Sequence, residues 1–574
     1  MSKKLVIISI FVLFYSGILF YQGCQNAPTN NSNISTNNNN QTQPLTQTGC
    51  PPPTAPYLSY ADDITIKQDY GPPEWYCTEY NDAAKRNNFP IYQLSQNYSE
   101  LPASFSPECS KADCPWLELK FPDKESNNQR EYLAAVLKYA YTGNLENDWQ
   151  NPKGWYSAPY MHLDTANTFK EIDSVGREFM RGMTQERASC STGLDYRSKE
   201  DETCAAICSS CSLIDDCYES WAISFYNARG GYYIKKVWDE IEKKNPAERN
   251  LEVLNEGFPD GTVAVKFLFT EASPDVLKLN TEGRNIDYLK GSIEWQADIR
   301  RSKRNRKTVE QCLKDGVPSE DCFPKLRLAQ IDIAVKDKRK NEKGKYLSPT
   351  GWIFGTFIYD NKKEPIFNYE FQGLSEAEKI KKSAWLKLDW VGLMFGNDPG
   401  VMKGGAISQS VNNPNISVTQ HFGCGADERL AAVNRLSGPI DNPSSSCLSC
   451  HALSETPKNL NPDSVPYAFP SNMTEKKGMQ CKDDNDIKYW FRNINPNINN
   501  KDRTFADPAK TFTLDYSLQL REGIFRYWLS KNGCFKSEED LKDCYSKKVN
   551  VSNPNLETDK IKNILNRSGI QKVQ

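Results

Sequence analysis

The sequence predicts an α+β chain of more than one domain, with a β-rich, sandwich-like region carrying helical additions and a small all-α domain after it. Three observations predict this. The 574 residues exceed what one hydrophobic core organises, even without an N-terminal stretch that has little to bury. Several runs between Gly261 and Tyr359 have the β-branched and aromatic composition of strands. Beyond about Pro414, apolar residues recur instead at the spacing of a helix face.

The N-terminus reads as an export segment. Lys3 and Lys4 precede Leu5–Tyr21, which is apolar almost throughout, and Gln22-Gly23-Cys24 follows. Glycine before cysteine suits a lipoprotein signal over 1–23 whose Cys24 thiol takes the lipid, although Tyr21 stands where an aliphatic residue is usual. The alternative is an uncleaved membrane anchor, because the apolar stretch approaches the ~20 residues that span a bilayer. Either way the rest of the chain is expected on the periplasmic side of a bacterial membrane, with the lipid anchor preferred. The outer membrane is favoured, since Gln25 is not the aspartate that often retains lipoproteins at the inner one. Residues 24–57, rich in Asn, Thr, Gln and Pro, read as a disordered tether.

Region 58–413 is expected to be the α+β domain, with a β-sandwich-like core and disulfides. Arg130–Tyr141 and Val175–Met183 read as helices, and 261–270, 292–299, 328–335 and 352–359 as strands. Ile331, Ile333 and Val335 alternate with Asp332 and Ala334, the pattern of a sheet with one covered face. The run 352–359 is apolar nearly throughout and is expected to be a buried strand. Arg229–Gly231 and Gly396-Asn397-Asp398-Pro399 read as turns.

Region 414–574 is expected to be helical. Asp486 is placed to cap a helix carrying Ile487, Trp490, Phe491 and Ile494, and Asp515 to open a second with Leu518, Ile524, Phe525, Trp528 and Leu529. Gly523 within the second costs about 1 kcal/mol of propensity, which predicts close packing against another helix or a cofactor edge.

Net charge is −2, with a quarter of residues charged, so composition makes no case for nucleic acid as a partner. The basic cluster at Arg300, Arg301, Lys303, Arg304, Arg306 and Lys307 reads as a solvated loop, and second as a docking face for an acidic partner. Eighteen cysteines in an exported chain read mainly as disulfides. Close pairs are Cys109/Cys114, Cys312/Cys322 and Cys534/Cys544, while Cys424 and Cys481 flank the motif described next. Cys204, Cys208 and Cys211 have the spacing of iron–sulfur ligands, but a disulfide knot with Cys190 and Cys217 suits an oxidising compartment better.

Chemistry concentrates in Cys447-Leu448-Ser449-Cys450-His451, in a chain with three histidines. Two thiols at this spacing each reach one vinyl group of a porphyrin, and the adjoining imidazole then stands under the iron. A redox dithiol needs no histidine. A zinc site needs a second ligand pair, for which only the separate His162 and His421 offer histidines. The expected cofactor is one covalent haem c, held by Cys447 and Cys450 with His451 on the metal. For the sixth ligand the order is Met473, which follows Pro470-Ser471-Asn472 in an expected loop, then Met479 and His421; His162 and an open position are further options. Short helices around one such motif make 414–574 a cytochrome c-like domain. The expected function is a membrane-tethered monohaem electron carrier serving redox partner proteins. The alternatives are a periplasmic haem-dependent oxidoreductase whose β-rich domain binds a substrate, or a haem-based sensor. No catalytic triad can be assembled.

Several phrases together resemble a group of exported bacterial proteins with a single C-terminal cytochrome c domain. They are Asn442 to His451 preceded by Leu436-Ser437-Gly438-Pro439, Thr350 to Phe357, Gly392 to Pro399, Leu514 to Leu520, Phe225 to Tyr232, and Gly176 to Phe179. The likeness runs from about Gly154 to Trp528. It implies haem binding and a two-part architecture, and no particular reaction.

Overall fold

The computed structural model describes residues 109–149, 152–159, 184–188, 219–243, 245–270, 287–296, 325–401, 405–416, 430–431, 434–441, 446–458, 460, 491–494 and 511–531. All lie in one compact unit, Gly49–Gln574. Its frame is a nine-stranded antiparallel sheet. The strands are β1 (Trp155–Tyr156), β2 (Thr184–Ala188), β3 (Glu219–Asn227), β4 (Val263–Thr270), β5 (Glu294–Gln296), β6 (Lys325–Lys336), β7 (Trp352–Tyr359), β8 (Leu388–Met394) and β9 (Ser410–Asn412). Their order is β1-β3-β4-β6-β7-β8-β9, with β2 beside β3 and β5 beside β6. The coarse expectation therefore holds: an α+β molecule built on a β-rich region. All eight residues of β7 are buried, as their apolar run requires.

Alternation gives the sheet two faces. One carries Val265, Phe267, Ile331, Ile333 and Phe357, all buried. Helix α1 (Gln129–Tyr141) lies against it through Tyr132, Leu133, Val136, Leu137, Ala140 and Tyr141, spaced to form one buried stripe. Gly355 of β7 leaves room for Leu133, which a Cβ there would strike. On the opposite face Ser224, Lys266, Asp332 and Thr356 stand in register across four strands, with Gly392 next in line. Asp332 was expected on a solvent face. Its side chain is only 17% exposed, because chain from beyond residue 430 covers that face too.

Helix α2 (Ala228–Ile241) follows β3 directly. Arg229–Gly231, expected as a turn, is its first turn instead. The Asn227 side chain caps it by accepting from Gly230 N at 3.1 Å, and Gly230 sits where a Cβ would meet Tyr226 and Thr262. Helix α3 (Glu376–Lys382) opens with a capping box between Ser375 and Glu378.

Beyond residue 414 come β10 (Leu430–Ala431), β11 (Arg435–Leu436), helix α4 (Cys447–His451), β12 (Glu455–Pro457), β13 (Thr511–Thr513) and helix α5 (Leu518–Lys531). β10 pairs with β11, and β12 with β13. The described part of this region thus contains strands as well as helix. Its apolar residues Leu448, Ala452, Ile494, Phe512, Leu514, Leu520 and Ile524 belong to the same buried cluster as the sheet. One core spans position 414.

One expected helix differs in its described part, while the other is α5. The stretch 491–494 is a turn and irregular chain, because Ile494 gives both backbone groups to the Tyr516 hydroxyl (N–H donor at 2.8 Å, carbonyl acceptor at 3.0 Å). Phe491 and Ile494 are buried from that irregular segment. Gly523 behaves as expected: a Cβ would strike the Pro159 carbonyl and crowd Trp238 of α2. Of the expected disulfides, Cys109–Cys114 is formed. Cys312/Cys322, Cys534/Cys544, Cys424, Cys481, the Cys204 group, 300–307 and the helix 175–183 lie outside the described residues.

Candidate functional site

Helix α4 has five residues, too few to hold itself in water, so its conformation comes from its surroundings. Ser446 caps it: Ser446 Oγ accepts from Ser449 N at 3.0 Å, and Ser449 Oγ accepts from Ser446 N at 2.7 Å. Ser446 Oγ also donates to Asn397 Oδ1 at 2.7 Å. This makes the Gly396–Pro399 turn a bracket for the motif. The buried Arg435 guanidinium holds the turn by donating to the carbonyls of Asn397 (2.8 Å) and Asp398 (2.6 Å), and it lies 3.7 Å over the Phe491 ring. Asp398, at φ +46°, accepts from the backbone N–H groups of Ser408 and Gln409.

Cys447 and Cys450 stand three residues apart on α4, hence on one face with their Cβ atoms about 5–6 Å apart. His451 follows at i+4 from Cys447. Cys447 is a free thiol 3.5 Å from the Leu436 carbonyl. Burial pushes that thiol's pKa up, and the Asp441 and Asp332 charges add to the effect, so it stays protonated at neutral pH. His451 Nδ1 is 2.8 Å from the Tyr516 carbonyl oxygen. A carbonyl only accepts, so Nδ1 carries the proton and Nε2 the lone pair. Burial first, and the Lys266 charge second, lower the His451 pKa to about 4, which keeps the ring neutral. The Phe354 ring of β7 packs against it at 4.8 Å.

The carbonyl that meets His451 is presented by an unusual turn. Asp515 and Tyr516 are consecutive non-glycine residues in the left-handed region, at φ +50° and +66°. Asp515 was expected to open the following helix. Its carboxylate is instead buried against the sheet, where Oδ1 accepts from Lys336 Nζ (2.7 Å) and Trp352 Nε1 (2.8 Å) and Oδ2 from Phe258 N (2.7 Å). Ser517 serves α5 in its place, accepting from Leu520 N at 3.1 Å and pairing with the Tyr226 hydroxyl at 2.7 Å.

Beside the motif lies a polar group that sequence reasoning did not single out. Lys266 Nζ is 3.4 Å from Asp332 and 3.9 Å from Asp441. Gln330 Nε2 donates to both carboxylates (2.9 and 3.1 Å), and Thr356 Oγ1 donates to Asp332 at 2.8 Å. Burial, then the Asp441 charge, raise the Asp332 pKa to about 7. The available signal was a lysine inside Val263–Thr270 and an acid inside 331–335, each interrupting an apolar strand.

The structure thus brings Cys447, Cys450 and His451 together on a bracketed turn of helix. Met473, Met479, His421, His162 and Cys24 lie outside the described residues. Among those described, no three His, Cys, Asp or Glu side chains group to hold a bare metal ion, and no helix is long and apolar enough to cross a membrane. No family model, curated protein or solved structure matches the chain.

Proposed function

We propose that the chain is a monohaem c-type cytochrome, tethered to the periplasmic face of a bacterial membrane through its N-terminus and exchanging electrons with redox partner proteins. The observation that carries this is the His451–Tyr516 hydrogen bond, which leaves Nε2 as the basic nitrogen of a neutral imidazole next to two thiols on one helix face. These residues fit a haem joined through Cys447 and Cys450, with His451 Nε2 as its iron ligand. When bound, the haem supplies a one-electron iron couple. The protein holds the imidazole in one tautomer, packs Phe354 beside it and anchors the short helix through Ser446 and Asn397. Met473 is the first choice for the sixth ligand, before Met479 and His421. The finer architecture proposed is a sandwich-like 58–413 and a cytochrome c-like 414–574 that docks on its sheet.

The test is mass spectrometry on protein made in a host equipped for cytochrome c maturation. Haem is expected on the peptide containing Cys447–His451; an unmodified peptide defeats the reading. Lys266, Asp332 and Asp441 favour a second reading, in which the haem edge also meets a substrate or small gas, since a bare carrier has no need of partly exposed charges there. Rapid carbon monoxide binding by the reduced protein supports that reading, and a spectrum indifferent to the gas supports carriage.

A further inference from the structure

We propose that the buried Lys336–Asp515 pair is a positioning device for His451. It locks the left-handed turn that aims the Tyr516 carbonyl at Nδ1, and so fixes which ring nitrogen is left for iron, a role that presupposes the haem reading above. Both side chains are completely buried. A buried ion pair is a weak source of net stability, since desolvating two charges offsets most of their attraction. Its use is better sought in what it specifies. Two adjacent non-glycine residues at positive φ cost on the order of 1–3 kcal/mol each and persist only where their surroundings impose them.

Those surroundings run along a short path. Lys336 and Trp352 are cross-strand partners at the ends of β6 and β7, and Lys336 is tied further by its backbone to Gly261 and Thr262. Both side chains donate to Asp515 Oδ1, and Phe258 N donates to Oδ2, so the three donors hold the carboxylate in one orientation. With Asp515 held, and with the Tyr516 hydroxyl bonded at both backbone groups of Ile494, the peptide between them has no freedom to rotate. Its next carbonyl then meets His451 at 2.8 Å. Removing the lock frees that carbonyl, weakens the Nδ1 hydrogen bond and makes the imidazole a poorer donor through Nε2.

The experiment compares wild type with Asp515→Asn, Trp352→Phe and the double variant Lys336→Met/Asp515→Leu, with Tyr132→Phe as a control. The control deletes a buried hydrogen bond on the far face of the sheet. In haem-free, ¹⁵N-histidine-labelled protein, three histidines make the tautomer of His451 readable by long-range NMR correlations. Wild type and Tyr132→Phe are expected to hold the single Nδ1-protonated form. Asp515→Asn and the double variant are expected to give a mixture with faster Nδ1 proton exchange, and Trp352→Phe a milder version. In haem-loaded protein the same variants are expected to shift the reduction potential upward, because a less basic imidazole stabilises ferric iron less. If every variant that folds keeps one tautomer and an unshifted potential, the positioning role is wrong. Trp352→Phe retains the ion pair and supplies a folded variant should the others collapse. A wild type that takes up no haem removes the proposed function, while the haem-free NMR comparison still decides the positioning role.

Discussion

At the scale of single residues, the site rests on where protons sit. His451 is held neutral by burial, with its pKa near 4, and Asp332 is raised to about 7 by burial and by Asp441. These two push the stability of the haem-free protein in opposite directions. A histidine with a depressed pKa binds its proton more readily when unfolded, so its contribution is present above about pH 6.5 and is lost as pH falls toward 4. An acid with a raised pKa holds its proton longer when folded, so stability falls as pH rises from about 4 to 7. Thermal melts between pH 4 and 8 should therefore be flatter for wild type than for either single variant. Asp332→Asn is expected to leave a curve rising with pH, and His451→Gln one that falls; matching slopes in both would refute the assignment. That Cys447, Cys450 and His451 stand together was legible from the C-x-x-C-H spacing alone. The Tyr516 carbonyl was not, because a backbone acceptor 65 residues away has no side-chain signature.

At the scale of elements, the strands were the most legible. β4, β6 and β7 fall where alternation or an unbroken apolar run placed them, because the pleat turns burial directly into sequence period. The misreadings share a cause. Asp515 and 491–494 look like helix signals locally, but each is claimed by a distant partner: Lys336 and Trp352 for the first, Tyr516 for the second. Long-range satisfaction of polar groups overrides a local cap. Two substitutions test elements directly. Ser446→Ala removes the cap of α4 together with its bond to Asn397 and is expected to cost about 1 kcal/mol by denaturant titration. Gly523→Ala improves helix propensity by about 1 kcal/mol, yet its methyl meets the Pro159 carbonyl, a backbone atom that cannot rotate away. Overpacking of about 1–3 kcal/mol should win, and a lowered melting temperature is expected.

At the scale of the whole molecule, the motif is inseparable from the sheet beneath it. Phe354 packs on His451, Asn397 brackets Ser446, and Lys336 and Trp352 anchor the turn that meets the imidazole, and all come from before residue 414. A fragment spanning 414–574 is therefore expected to lose the cooperative melt and the single His451 tautomer of the full chain. A fragment that kept both would show that the region beyond residue 414 folds unaided. Composition had marked this boundary because strand-rich texture stops there, but a change of texture is not a gap in packing.

The hydrogen bond from His451 to Tyr516 also imposes an order of events. Synthesis from the N-terminus delivers β7, β8 and the Asn397 bracket first, then the two thiols, and only 65 residues later the loop that fastens the imidazole. Until that latch arrives the imidazole lacks its Nδ1 partner, and on the proposed haem reading that is when covalent joining would be easiest. Afterwards Cys447 is half enclosed and protonated, a poor nucleophile. The emergence of α5 thus completes the enclosure of the imidazole.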